Sequence, residues 1–296
     1  MKAIVFLFLI TVNMVYAQKN EIIKNGNVNL NTTVYSVDKT ETVLLLHGGP
    51  GVPDDMIEVV NALRSNYRVI TFEQRGVGAS ECTNCTFKME DYISDIEAII
   101  SKFNISDFHL FGHSWGGLYA QIYAVEKPDK IKSLFLCSPS SGTNQLWKRT
   151  EKEVMQFNKK TASNKEWAKM GWNSILGMLG SDKAYGKVFK QVLTNYYKGY
   201  NELQLDEGFY NKIHSEPINK TRKEISKYKP LPELTAPEFP VLITYGDNDI
   251  YGESKKMLPK RFPTAEIMTI QKSGHIPWKQ NYVEFEKILM EFFSIE

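Results

Sequence analysis

The sequence predicts an α/β fold, a mostly parallel central sheet flanked by helices, with a helical cap inserted late in the chain. Three observations carry this expectation. Short, wholly apolar runs end in glycine or polar residues, as strands buried on both faces do. Such runs alternate with stretches of helical periodicity, which places helices against the faces of parallel strands. The alternation then stops at Pro139 and resumes only after about residue 231. With 296 residues, 42% of them hydrophobic, the chain can bury one large core.

The opening stretch "MKAIVFLFLITVNMVYAQ" has one lysine, an apolar run, and Val15 and Ala17 placed as a small-residue cleavage site. It reads as a secretory signal over residues 1–17, cleaved after Ala17; the alternative is an uncleaved anchor, although the run is shorter than the ~20 apolar residues a span needs. No later stretch is long enough to cross a bilayer, so a secreted or periplasmic protein without stable membrane insertion is expected. "TVLLLHGG" from Thr42 is the first buried strand. A helix over 54–64, the strand "YRVITFEQ", a helix over 91–101 and the strand "FHLFGH" follow. Next come a helix over 117–126, closed before Pro128, and the strand "IKSLFLC". Residues 139–231, rich in Lys, Trp, Tyr and Asn, have helical but no strand-like patterning and read as the cap. The core resumes with "VLITYGDND", a helix near 253–261, the strand "AEIMTI" and a terminal helix over 282–293. The core is thus expected at 18–138 and 232–296.

A formal charge of +2, without long runs of one sign, gives no footprint for nucleic acid or an anionic membrane surface. The expected partner is a small molecule or a short peptide. Three cysteines leave at most one pair in an oxidising compartment. Cys82 and Cys85 in "CTNC" are either a small loop staple or two free thiols, since a zinc site would need further ligands; Cys137 ends an apolar strand and reads as a buried hydrophobe. Asn31, Asn84, Asn104 and Asn219 fit the glycosylation pattern, which matters only in a host that glycosylates.

Chemistry concentrates at "LFGHSWGGLYA". Ser114 lies in a G-x-S-x-G pattern between an expected strand and an expected helix, the context in which a sharp turn exposes a nucleophilic serine. Serine is a weak nucleophile at neutral pH and needs a base, which in turn needs an orienting acid. Of the five histidines, His275 in "KSGHIPW" follows the last strand and can reach the carboxyl edge of the sheet. His47 orders the glycine loop, His113 flanks the serine, His109 lies within a strand, and His214 in the cap is the rival base. Asp249, three residues past Gly246, is the acid, with Asp247 as its rival or a turn cap. The oxyanion of acyl transfer needs N–H donors, expected from Trp115, directly after the serine, and from Gly49 in "HGGPG". Arg75 is expected to pin its loop through an ion pair, with contact to the substrate as the alternative. Nothing in this chemistry requires a metal or an organic cofactor.

Together, "HGGPG" at 47–51, "FEQRGVGAS" at 72–80, "GHSWGG" at 112–117, "GDND" at 246–249 and "SGHIPW" at 273–278 resemble the α/β-hydrolase superfamily over nearly all of the chain after residue 17. The resemblance implies an α/β-hydrolase fold, with Ser114, Asp249 and His275 as nucleophile, acid and base, and Gly49 and Trp115 as oxyanion donors. Within the superfamily the chain is most similar to the proline iminopeptidase-like branch, whose members remove N-terminal residues, often proline, from small peptides. It departs from that branch at Glu73, where Asp is usual, and at His113, where the branch commonly has glycine. The branch also holds the substrate's amine with acidic cap residues; Glu202, Asp206, Glu207 and Glu216 are the cap carboxylates available here. The expected activity is hydrolysis of a small amide or ester, with an N-terminal aminoacyl group first. A carboxylesterase or lactonase is the alternative, and a non-catalytic binding protein of the same fold the remote one.

Overall fold

In the computed structural model, which describes residues 18–200 and 207–294, the chain opens with a hairpin of β1 (Gln18–Asn25) and β2 (Val28–Tyr35). The two strands are antiparallel, and β2 alternates buried and half-buried residues as a strand with one covered face does. Residues 1–17, where the leader is expected, lie outside the described residues. Next come β3 (Thr42–Leu46), α1 (Ile57–Leu63), β4 (Arg68–Phe72), the two-residue β5 (Glu81–Cys82) and α2 (Met89–Lys102). They lead to β6 (Phe108–His113), α3 (Trp115–Glu126) and β7 (Ile131–Cys137).

Between β7 and the next strand the described chain holds five helices: α4 (Gln145–Thr161), α5 (Asn164–Met178), α6 (Asp182–Tyr196), α7 (Glu207–Asn211) and α8 (Ser215–Lys227). The sheet then resumes with β8 (Val241–Gly246), α9 (Leu258–Arg261) and β9 (Glu266–Ile270). The chain finishes with α10 (Pro277–Gln280) and α11 (Tyr282–Phe293).

The strand order is β1-β2-β4-β3-β6-β7-β8-β9, with β5 paired to β2. From β4 to β9 neighbouring strands are parallel, and β2 joins them antiparallel through β4. Period-two alternation divides the core. Leu44 and Leu46 of β3 face a layer containing Tyr92, Ile96 and Ile99 of α2 and Leu118 and Ile122 of α3. Val43 and Leu45 face the opposite layer, with Val59, Val60 and Leu63 of α1 and Phe285 and Leu289 of α11. Each such fully buried side chain contributes about 1.5–3 kcal/mol. The order reverses between β3 and β6, and in an open α/β sheet a crevice forms outside the carboxyl ends of strands flanking such a reversal.

Several elements differ from expectation. The helix expected from residue 54 starts at Ile57, because Asp54 and Asp55 turn their carboxylates onto the N–H groups of Met56 and Ile57, at 2.9 and 3.2 Å, and act as caps outside the helix. The helix expected over 253–261 is a 3₁₀ turn over Glu253–Met257 followed by the short α9, which begins with Leu258-Pro259, a proline position that needs no N–H. The N-terminal hairpin and α10 were not expected at all, although Asn25-Gly26 is a strong hairpin signal. Cys82 and Cys85 form a disulfide, while Cys137 is a free, buried thiol whose pKa burial pushes up. No helix among the described residues is long and apolar enough to cross a membrane.

Candidate active site

Ser114 sits where β6 passes into α3, with φ 55° and ψ −116°, a backbone conformation costly for any residue with a side chain. The cost is met by fixing the turn from both sides. Ser114 N–H donates to the Cys137 carbonyl at 3.1 Å, and the Ser114 carbonyl accepts from Ser140 at 3.0 Å and Leu118 at 3.2 Å. The flanking glycines are needed for space: a Cβ on Gly112 would collide with the Gly116 carbonyl, and one on Gly116 with the carbonyl of Leu46.

The turn raises the Ser114 hydroxyl to 3.0 Å from Nε2 of His275, and Nδ1 of the same ring lies 3.2 Å from Oδ1 of Asp249. With the ring proton on Nδ1, His275 donates to Asp249 and accepts from Ser114. Asp249 also accepts the Tyr251 N–H at 3.0 Å. Burial pushes the Asp249 carboxyl up, but the adjacent His275 and these hydrogen bonds outweigh it and hold the group below its ordinary value. Gln280 fixes the loop that presents His275, its Oε1 accepting from the Gly274 and Ile276 N–H groups at 2.8 and 3.1 Å while its amide donates to the Tyr196 carbonyl at 2.9 Å.

The rival residues are engaged elsewhere. Asp247 accepts the N–H groups of Lys272 and Ser273, each at 3.0 Å, so it caps the turn. His214 lies 3.2 Å from Asp182 and is partly exposed. His109 bridges Ser133 and Glu41. His113 is buried, and its Nε2 donates to the His275 carbonyl at 2.8 Å; burial lowers its pKa to about 3, so it stays neutral as a backbone prop for the histidine loop. Its ring also packs edge-on against Trp278, 4.6 Å between centroids. The departure from glycine at position 113 therefore has a structural use.

Gly49 lines the cavity beside Ser114, and the Trp115 N–H opens α3; neither N–H is donated to another described residue. The positive end of the α3 dipole points the same way. One side chain ties these two places together. Gln74 receives the Trp115 indole N–H at 2.8 Å and donates its own amide to the His47 carbonyl at 2.9 Å. His47 in turn donates Nδ1–H to the Gly48 carbonyl at 2.8 Å and accepts the Gln74 backbone N–H on Nε2 at 3.2 Å. Burial lowers the His47 pKa to about 4, which keeps the ring neutral and this pattern fixed. Arg75 makes a two-pronged buried pair with Asp95 of α2, both contacts 2.8 Å.

Ser114 and His275 open on a cavity of about 370 Å³. It is lined by Gly48, Gly49 and Val52, by Asn31, Thr33 and Tyr35 of β2, and by Phe189, Val192 and Leu193 of α6. Asp54, Asp55 and Glu73 bring carboxylates to the wall, Lys212 and Lys279 cations. Burial raises the Asp54 pKa to about 6. Of the cap carboxylates, Glu216 is exposed, paired with Lys220 and absent from the wall; Glu202, Asp206 and the Glu207 side chain lie outside the described residues. Sequence reading missed Tyr251, whose hydroxyl is 3.2 Å from Ser114 Oγ; its only sequence signal was an aromatic residue two places after the acid.

Residues 41–281 match the family model of the alpha/beta hydrolase fold, and the chain belongs to that family. It is a hydrolase enzyme of this fold. Among sequence relatives is a proline iminopeptidase of Clostridioides difficile, 24% identical over 271 residues, with 85% of this chain and 89% of the relative covered. Among solved structures, the proline iminopeptidase of Mycobacterium smegmatis superposes with a TM-score of 0.67 at 16% identity, over 93% of this chain and 97% of that one. The enol-lactonase of Burkholderia xenovorans LB400 superposes with a TM-score of 0.66, also at 16% identity, over 93% and 100%.

Proposed function

We propose that the protein is a serine hydrolase that cleaves a small amide or ester through an acyl-enzyme on Ser114, with an N-terminal aminoacyl group as its leading substrate. The observation that supports this above all others is the hydrogen-bonded line from Ser114 through His275 to Asp249, opening on a cavity. In this reading His275 takes the Ser114 proton as the oxygen attacks the carbonyl carbon, and returns it to the leaving amine or alcohol. Asp249 holds the imidazole in the required tautomer, and the N–H groups of Gly49 and Trp115 receive the oxyanion. No metal or organic cofactor takes part.

The aminoacyl preference rests on relatives named proline iminopeptidase and on the carboxylates of the cavity wall. Glu73 accepts from both Asn31 and the Ala79 N–H, at 2.9 and 2.7 Å, whereas Asp54 accepts a single N–H, that of Met56, and is the acid whose pKa burial raises to about 6; we assign it to receive a substrate ammonium. The amine site would then lie on a core loop rather than in the cap. The apolar residues Val52, Phe189, Val192, Leu193 and Phe209 favour a second reading, an esterase or lactonase acting on an uncharged acyl group. We further infer that residues 1–17 are an export leader with the chain cut after Ala17, which accords with the Cys82–Cys85 disulfide.

The test compares proline and other aminoacyl arylamides with short acyl esters, using Ser114→Ala as control. Arylamide turnover that requires a free amine supports the aminopeptidase. Ester-only turnover leaves the second reading in place, and no fluorophosphonate labelling of the native protein points to a binding protein.

A further inference from the structure

Tyr251 reaches the reacting atom of the site alongside His275. Its hydroxyl lies 3.2 Å from Ser114 Oγ and 2.8 Å from Ser140 Oγ, and the side chain is buried. The ring stands edge-on to His275, with 5.0 Å between centroids, and its backbone N–H is fixed on Asp249. Ser140 is tied to the same turn, its N–H donating to the Ser114 carbonyl. The phenol therefore belongs to the constellation through three independent contacts.

The directions of these hydrogen bonds follow from counting protons. The Ser114 proton goes to His275 Nε2, so Ser114 Oγ has lone pairs left to accept with. The Tyr251 hydroxyl has one proton, and the Ser140 hydroxyl can supply a proton to the phenol oxygen. One consistent arrangement is Ser140 O–H to Tyr251, Tyr251 O–H to Ser114, and Ser114 O–H to His275. Burial raises the Tyr251 pKa, so the phenol remains a donor throughout the working pH range.

We propose that Tyr251 is a catalytic residue that stabilises Ser114 Oγ as the leaving group when the acyl-enzyme is hydrolysed, an inference that rests on the serine-hydrolase reading above. In that step water bonds to the acyl carbon and gives its proton to His275 Nε2, leaving a tetrahedral oxyanion. Collapse re-forms the C=O bond and breaks the bond from carbon to Ser114 Oγ. The electron pair moves to Oγ, which takes the proton from His275, and the acid product departs. Tyr251 keeps its own proton and only hydrogen-bonds the oxygen as charge grows on it. In the acyl-enzyme Oγ is an ester oxygen and a poor acceptor, so the contact strengthens on the way to the transition state and accelerates the step.

The experiment follows p-nitrophenyl acetate hydrolysis by stopped flow, with intact-mass analysis during turnover and fluorophosphonate labelling in parallel. With so activated an ester, kcat reports deacylation and kcat/KM reports acylation. Tyr251→Phe keeps the ring and removes the donor. It is expected to lower kcat about ten- to a hundredfold, the value of one hydrogen bond to a charged oxygen, with a smaller loss in kcat/KM. A burst of nitrophenolate and acetylated Ser114 in the steady state should accompany it. Ser140→Ala should shift the same quantities in the same direction by less. Fluorophosphonate labelling of both proteins together with a variant kcat within twofold of native overturns the role of Tyr251 alone, as does an equal fall in kcat and kcat/KM without acetylated Ser114. Failure of native Ser114 to label overturns the hydrolase reading itself, and this one with it.

Discussion

In α3, the helix that follows Ser114, ten of twelve residues are buried, whereas α5 in the helical insertion buries only Met170 and Gly177 of its fifteen. The first helix is packed on all sides, so nearly every side chain is fixed by a neighbour. Around Ser114 this fixation extends to polar groups, with Gln74, His47 and His113 each holding a loop through buried hydrogen bonds. The insertion is stabilised differently. Its helices cap themselves locally, as Ser163 and Glu166 do at the start of α5, and present polar residues to water. Where they meet the cavity they offer half-buried apolar side chains such as Phe189 and Leu193. The comparison teaches a separation: the core holds the proposed chemistry rigid, and the insertion shapes what can reach it. Gln280, donating to the Tyr196 carbonyl, is a direct tie between the histidine loop and the insertion.

The most forceful way to sharpen that contrast is Ser114→Ala, expected to lower turnover about ten-thousandfold or more while leaving the melting temperature nearly unchanged. Arg75→Ala attacks the rigid region through its scaffold. The buried Asp95 loses its partner, and a stability loss of about 3–5 kcal/mol is expected, read as a drop of roughly 10 °C in melting temperature.

Asp54→Asn probes the boundary between the regions. It is expected to raise KM about tenfold for substrates with a free amine and to leave acyl esters unaffected. Because burial lifts Asp54 to about 6, its carboxyl is largely neutral at pH 5 and ionised at pH 7. Native preference for amine substrates over esters should thus rise across that interval, and the variant's should not. The raised value also has a stability sign: Asp54 binds its proton more tightly folded than unfolded, so its contribution is complete below about pH 4 and lost as pH rises through about 6. Asp54→Asn should accordingly gain thermal stability relative to native at pH 8 but not at pH 4. The smallest effect belongs to the insertion: Phe189→Ala should change the ratio of kcat/KM for bulky and small acyl groups about three- to tenfold, with fluorophosphonate labelling within twofold of native.

How much of this was legible in the sequence follows the same division. The strands Phe108–His113 and Ile131–Cys137 and the helix Tyr282–Phe293 coincide with the sequence reading to the residue, because each is an apolar pattern ended by glycine, serine or proline chemistry. The spatial meeting of Ser114, His275 and Asp249 was likewise expected, since their loops all leave the same edge of a parallel sheet. The start of α1 was misread because two consecutive aspartates can either begin a helix or cap it from outside. The cavity wall was not legible. It is assembled from β2, two glycine-rich loops and α6, and no local pattern records which of their side chains share a space. Tyr251 was passed over for the same reason, as its contacts with Ser114 and Ser140 span more than a hundred positions.

The hairpin of β1 and β2 lies ahead of residue 41, where the family match begins, yet Asn31, Thr33 and Tyr35 stand in the cavity wall. A chain trimmed to the matched segment would retain every proposed catalytic group and lose Asn31, Thr33 and Tyr35 from the cavity wall. Change in that short leading hairpin can therefore reshape the cavity wall without touching a single residue of the matched segment.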